Sequence, residues 1–199
     1  PFSDPLADGP VIQAAYTRAL ARGVTLDAVL AAAAAWTKRL PVVLMLYYNL
    51  VFSRGVERAA ADFAAAGIAG VIVPDLPPEE ADGAIAAFAE RGIDFIVMLT
   101  PATPPARAAR LAARAGGFIY YVALAGVTGA RRELRAELRA EVTAARAHGL
   151  PVCVGFGVAK AEHVAELSEF ADGVIVGSAL IQQLDAAGND RAAKLRRAG

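Results

Sequence analysis

Disulfides, a histidine-based metal site and a strong net charge are all missing from this chain. Its 199 residues include one cysteine, Cys153, so no intramolecular disulfide can form. That cysteine sits in an apolar β-branched run and reads as a small core residue. The two histidines, His148 and His163, have no metal-ligand neighbour at useful spacing and read as exposed helix residues. Lys+Arg and Asp+Glu each total 20, for a formal net charge of zero. This leaves no basic footprint for nucleic acid and no basic amphipathic helix for a membrane surface. No apolar run is long enough to span a bilayer, and no signal peptide is present, so a cytoplasmic location is expected. Also absent are an initiator methionine and any strand ahead of the opening loop at 1–10. The expectation is a single domain over 1–199 that is incomplete at its N-terminus.

What is present is a large apolar share, 56% hydrophobic residues against 20% charged, enough for one packed core. The loop 1–10 leads into helices expected at 10–22 and 25–38. After Pro41 the pattern changes to short apolar runs alternating with helical stretches. Strands are expected at 42–48, 71–73, 95–99, 118–124, 152–154 and 174–176. Helices are expected at 55–66, 78–90, 105–115 and 133–148, from near 159, and over 180–197. Such βα alternation with right-handed crossovers makes a parallel sheet with its site at the strands' carboxyl ends. An open doubly wound sheet and a (β/α)8 barrel both fit. No GxGxxG follows the first strand, which weakens the dinucleotide-binding form.

The stretch PVCVGFGVAKAEHVAELSEFADGVIVGSAL at 151–180 favours the barrel. Two β-branched runs each end in glycine, at Gly155 and Gly157 and at Gly177, with Ser178 following. Glycine at a strand end lets backbone N–H groups approach an anion, and a helix starting there adds its own free N–H groups and positive dipole end. In β/α barrels the loops after the last two strands build such a phosphate cup. The plain alternative is two glycine turns that only close loops. A barrel needs eight strands and six are legible, so two βα units are expected ahead of residue 1.

With no histidine or cysteine placed for acid–base work, carboxylates or tyrosines must supply it. The loops offer Asp4, Asp8 and Asp75. Asp8 stands between alanine and glycine, free to face a ligand, but its spacing to Pro10 equally fits a helix cap. Asp75 equally fits a cap of the helix that follows it. Tyr47, Tyr48, Tyr120 and Tyr121 fall in expected strands, where adjacent side chains alternate between interior and helix layer, so one of each pair faces the site or only packs the core. The loop GVTGA at 126–130 has hinge glycines that suit a lid carrying Thr128, or forms a plain glycine turn.

These residues carry a family resemblance. PFSDPLADGP at 1–10 resembles the signature loop after strand 2 of the tryptophan synthase α subunit family. The likeness continues through YYNLVF at 47–52, VPDLPPEE at 73–80, GFIYYVALAGVTGA at 117–130, GFGV at 155–158 and GVIVGSAL at 173–180. It implies a (β/α)8 TIM barrel that cleaves indole-3-glycerol phosphate to indole and glyceraldehyde 3-phosphate without a cofactor. Pyridoxal phosphate belongs to the partner β subunit of an α2β2 heterotetramer.

By the same match Asp8 accepts the indole N–H, and Thr128 is the lid threonine that meets it on closure. Gly129, Gly157, Gly177 and Ser178 hold the phosphate, and Phe156, Tyr120 and Met45 line the indole pocket. Pro1, Asp4, Asn49 and Phe52 fall where the family contacts the β subunit. The second catalytic carboxylate, a glutamate, is expected just before residue 1 and so is absent from this chain. Ala123 and Ala125 stand where the family usually has serine and threonine. Two other readings remain open: a non-catalytic partner that gates the β subunit, and another phosphate-binding barrel enzyme of the same pathway.

Overall fold

The computed structural model describes residues 1–5, 8–123, 131–155, 157–158 and 160–186. Its strands are β1 (Val43–Met45), β2 (Gly70–Ile72), β3 (Asp94–Phe95), β4 (Val97–Leu99), β5 (Ile119–Val122), β6 (Val152–Gly155) and β7 (Gly173–Ile175). Every pairing is parallel and runs in chain order, β1-β2-β3 and β4-β5-β6-β7. β3 and β4 are two halves of one extended run. The first half pairs back to β2 and the second forward to β5, while the Ile96 N–H between them donates to the Val71 carbonyl at 2.9 Å. A doubly wound sheet reverses its strand order at a switch point. This one never reverses, which is the winding of a β/α barrel. The fold is therefore a (β/α)8-type barrel of which the described residues supply six strand positions.

Among the described residues β1 and β7 each have one strand neighbour, so the sheet is an open arc. Met45 on β1 and Val176 just after β7 are both 41% exposed at those edges. The outer layer is less open. Helix α1 (Pro10–Ala21) lies against α9 (Ser178–Ala186), with Arg18 donating to Asp185 at 2.5 Å. Among the described residues the two ends of the arc are thus joined through their helices.

Alternation along the strands separates two apolar clusters. Val71, Val97, Leu99, Ile119, Tyr121, Val152 and Val154 point outward and pack with Phe63 of α4 (Val56–Ala65) and Phe88 of α5 (Asp82–Ala89). The two phenylalanine rings stack with centroids 5.9 Å apart. Ile72, Ile96 and Tyr120 point inward with Val43, Met98, Val122 and Ile175.

Several expected boundaries shift. The run 42–48 is not one strand, because Tyr48–Phe52 forms the short helix α3. The Asp75 carboxylate, arriving from the end of β2, accepts the Tyr48 N–H at 2.8 Å and so caps α3 rather than the helix after itself. Tyr47 and Tyr48 consequently lie beyond the strand. The stretch 78–90 splits into a 3-10 turn, Pro78–Glu80, and α5. Helix α2 (Leu26–Ala34) is shorter than expected, and Thr25 caps it by accepting the Ala28 N–H at 3.2 Å. The sixteen residues of α7 (Arg131–Arg146) and the seven of α8 (Ala161–Leu167) complete the described outer layer, with α6 (Pro105–Ala112) between β4 and β5. No helix among the described residues is long and apolar enough to cross a membrane.

Phe63 is fully buried against Phe88, so truncating it leaves a void that rigid neighbours cannot fill. Phe63→Ala is expected to lower unfolding free energy by about 3–5 kcal/mol in urea denaturation; a loss below about 1 kcal/mol would contradict this packing.

Candidate active site

The loops that follow the strands converge on one rim, and Asp8 lies there at the entrance to α1. It does not cap that helix. Gly9 is the N-cap residue, with extended backbone (φ −74°, ψ 170°) and no side-chain cap bond. The Asp8 carboxylate is engaged elsewhere: the Tyr47 hydroxyl donates to its Oδ2 at 2.7 Å. Gln13 on α1 pins the Asp8 backbone, donating from Nε2 to the Asp8 carbonyl at 2.7 Å and to the Pro5 carbonyl at 3.3 Å. Phe2 stacks on the Tyr47 ring, with centroids 4.9 Å apart and planes 20° from parallel.

Two further phenols feel the Asp8 charge. Tyr16 on α1 and Tyr120 on β5 both have raised pKa values, first through burial and second through the nearby Asp8 carboxylate. Both therefore stay protonated through neutral pH. Tyr120 is 8% exposed on the interior face, and the glycine at 155 makes room for it. A Cβ at Gly155 would stand 2.6 Å from a Tyr120 ring carbon and 2.7 Å from its hydroxyl.

The two tyrosine pairs divide as strand and rim geometry dictate. Tyr47 and Tyr120 turn to the site. Tyr121 faces the helix layer and donates to Glu141 of α7 at 2.8 Å; burial, then that carboxylate, raises its pKa. Tyr48 lies against Phe52, with ring centroids 6.0 Å apart.

The glycine turns after β6 and β7 are in step. Their ladder ends with Gly155 opposite Ile175, leaving each strand two residues short of Gly157 and Gly177. Gly157 has a left-handed backbone, φ 80°. Gly177 directly precedes α9, whose first residue is Ser178, and the Ile181 N–H donates to the Gly177 carbonyl at 3.2 Å. The earliest N–H groups of a helix such as α9 have no intrahelical acceptor. A Cβ at Gly177 would meet nothing within 4 Å, so the turn faces open space.

Other expected site residues are less gathered. Met45 is on the same strand face as Val43 and pairs in register with Ile72. It also borders a cavity of about 60 Å³ with Pro1, Leu26, Val29, Leu44, Leu46 and Leu50, to which Tyr120 does not contribute. Asn49 and Phe52 are exposed on α3, Phe52 by 67%. Asp4 is exposed and accepts the Ser3 hydroxyl at 2.6 Å, while Pro1 is half-buried. Thr128, Gly129, Phe156 and Ala125 lie outside the described residues; Ala123 extends β5, its N–H donating to the Gly155 carbonyl at 3.1 Å.

Among the described residues no His, Cys, Asp and Glu cluster could hold a metal. His163 proves half-buried on α8, not exposed, and His148 lies in the turn after α7. Cys153 is half-buried against Gly173, where a Cβ would come within 2.7 Å of its sulfur. Burial, then the Asp172 charge, pushes its thiol pKa up. Tyr16, the Tyr47–Asp8 bond and the role of Gly155 were not read from sequence. Only the first glycine of the GFG turn, Gly155 itself, hinted at the last.

The profile of the tryptophan synthase alpha chain family matches residues 1–198. The chain belongs to this family. It is 51% identical over 189 residues to the tryptophan synthase alpha chain of Roseiflexus castenholzii, covering 93% of this chain and 72% of that one. Among solved structures, the alpha chain from Legionella pneumophila superposes with a TM-score of 0.82 at 40% identity, covering 94% of this chain and 69% of that one. The tryptophan synthase α2β2 complex of Pyrococcus furiosus gives 0.85 at 34% identity, covering 99% and 80%. As a tryptophan synthase alpha chain, the protein serves tryptophan biosynthesis and is of the lyase type.

The two glycines make opposite predictions for stability. Gly155→Ala drives a methyl into Tyr120 and is expected to cost about 1–3 kcal/mol. Gly177→Ala meets no atom and is expected to stay within about 0.5 kcal/mol of the parent. Chemical denaturation of the two variants checks both; equal effects would contradict the Tyr120–Gly155 contact.

Proposed function

We propose that this chain is the subunit that splits indole-3-glycerol phosphate into indole and glyceraldehyde 3-phosphate. The observation that carries the reading is the Asp8 carboxylate. Tyr47 holds one of its oxygens, and among the described residues no donor meets the other, Oδ1. It lies on the rim that also bears the Gly157 and Gly177–Ser178 turns.

In this reading those turns and Gly129 hold the substrate phosphate by backbone N–H groups, and Tyr120, Met45 and Phe156 flank the indole ring. A proton is added to indole C3, and positive charge builds on the ring nitrogen. Asp8 accepts the N–H at Oδ1 and stabilises that charge in a site shielded from water, with Thr128 closing over it. The glycerol hydroxyl next to the breaking bond then gives up its proton. The carbon–carbon bond cleaves, its electron pair restores the ring as indole, and the aldehyde leaves as glyceraldehyde 3-phosphate.

The group that gives and takes these protons is the glutamate that the resemblance puts ahead of residue 1. Asp4 and Asp75 do not replace it, since Ser3 and the Tyr48 N–H engage them. Residues 1–199 by themselves are therefore inferred not to turn over. No cofactor is required of this chain. A β subunit carrying pyridoxal phosphate takes the indole in an α2β2 assembly, against a face bearing Pro1, Asp4, Asn49 and Phe52. The exposed Phe52 ring supports such a face, as does the Pyrococcus furiosus complex among the structural relatives. A cytoplasmic setting suits that biosynthetic role.

In the full-length gene product, Asp8→Asn is expected to bind indole-3-glycerol phosphate yet lose at least about 10²-fold in kcat, the scale of one lost electrostatic stabiliser. Spectrophotometric indole release measures it, and near-parental turnover would overturn the role of Asp8.

A further inference from the structure

We propose that Tyr47 is a positioning residue for the lyase reaction, its hydroxyl orienting the Asp8 carboxylate so that Oδ1 is presented to the substrate. The inference rests on the reading of Asp8 given above and adds a residue to which neither the motif match nor the family assignment gives a part.

The Asp8 carboxylate has lost the partner that spacing would give it, because Gly9 starts α1 without a side-chain cap. A carboxylate on a loop can rotate about two side-chain bonds, and a mobile charge stabilises a transition state poorly. The Tyr47 hydroxyl, 2.7 Å from Oδ2, removes that freedom.

Tyr47 is itself immobile. It is 4% exposed, and Phe2 stacks on its ring. Its backbone begins α3, where its carbonyl accepts the Leu50 N–H at 3.0 Å. The following N–H is held by Asp75 at 2.8 Å. Gln13 meanwhile fixes the Asp8 backbone, so both ends of the Tyr47–Asp8 bond are anchored independently.

The chemistry of the donor also fits. A lysine or arginine in this place would orient Asp8 but cancel the negative charge that the reaction uses. A neutral phenol orients it and leaves the charge intact. The other groups that feel the Asp8 charge, Tyr16 from α1 and Tyr120 from β5, are phenols as well, and burial, then that charge, keeps both protonated. Among the described residues Asp8 thus stands beside neutral phenols, with one oxygen tied.

Tyr47→Phe in the full-length gene product removes the hydroxyl and keeps the ring that Phe2 stacks on. A hydrogen bond to a charged group is worth enough to predict a fall in kcat of about 10- to 100-fold. KM for indole-3-glycerol phosphate should move less than about threefold, because phosphate and ring contacts are untouched. In an Asp8→Asn background, followed at high enzyme concentration, adding Tyr47→Phe should change the residual rate by less than about twofold.

If Asp8→Asn turns over like the parent, the reading of Asp8 fails. If Asp8→Asn is impaired while Tyr47→Phe keeps its rate, only the Tyr47 inference fails. A Tyr47→Phe loss that persists undiminished in the Asp8→Asn background shows a merely structural tyrosine and overturns it too.

Discussion

Parallel pairing of strands with their sequence neighbours is the constraint on which the rest depends. Because every ladder runs the same way, every strand delivers its carboxyl end to one rim. Residues far apart in the chain meet there: Asp8 before α1, Tyr47 after β1, Asp75 after β2, Tyr120 on β5, and the glycines after β6 and β7. The same constraint has a cost. Among the described residues β1 and β7 stand at the ends of the array, with Met45 and Val176 exposed there. The helix layer partly offsets this through the seating of α1 against α9 and the Arg18–Asp185 pair.

Charge is used sparingly at the site and freely elsewhere. Arg54 ties Asp27 to Asp62, joining α2 to α4, and Arg107 on α6 holds Glu79 of the 3-10 turn at 2.7 Å. The Arg107 hydrogen bond is the main reason the Glu79 pKa falls to about 2. These are solvent-facing pairs that set the registry of neighbouring helices more than they stabilise the fold. At the rim, by contrast, orientation comes from phenols and backbone N–H groups. Zero net charge suits a rim built on those terms, since dipoles orient a charged group without neutralising it.

Much of this was legible in the chain. The βα rhythm, the glycine turns ahead of α8 and α9, and the division of Tyr120 from Tyr121 all follow from period-two alternation and local backbone chemistry. The misreadings share a physical source. A run such as 42–48 has strand composition, yet a cap supplied by Asp75, more than two dozen positions away, turns its end into α3. Asp8 has the position of a cap, yet Tyr47 takes its carboxylate from across the rim. In both cases a hydrogen-bonding group had a satisfactory local partner on paper and took a better-placed distant one.

The sequence by itself determined the class of fold, the family through its opening loop, and which residue types stand at the strand ends. These depend on periodicity and on turn chemistry, which act over a few residues. The resemblance implied the barrel, and the tertiary structure shows its winding directly, because strand order is a property of pairing and not of any strand alone. It also decided that Asp8 is held by Tyr47, that Gly155 exists to admit Tyr120, and that Asp75 serves α3. Each of these is a contact between segments separated by tens of residues, and no local energy term in the chain encodes which distant group will arrive.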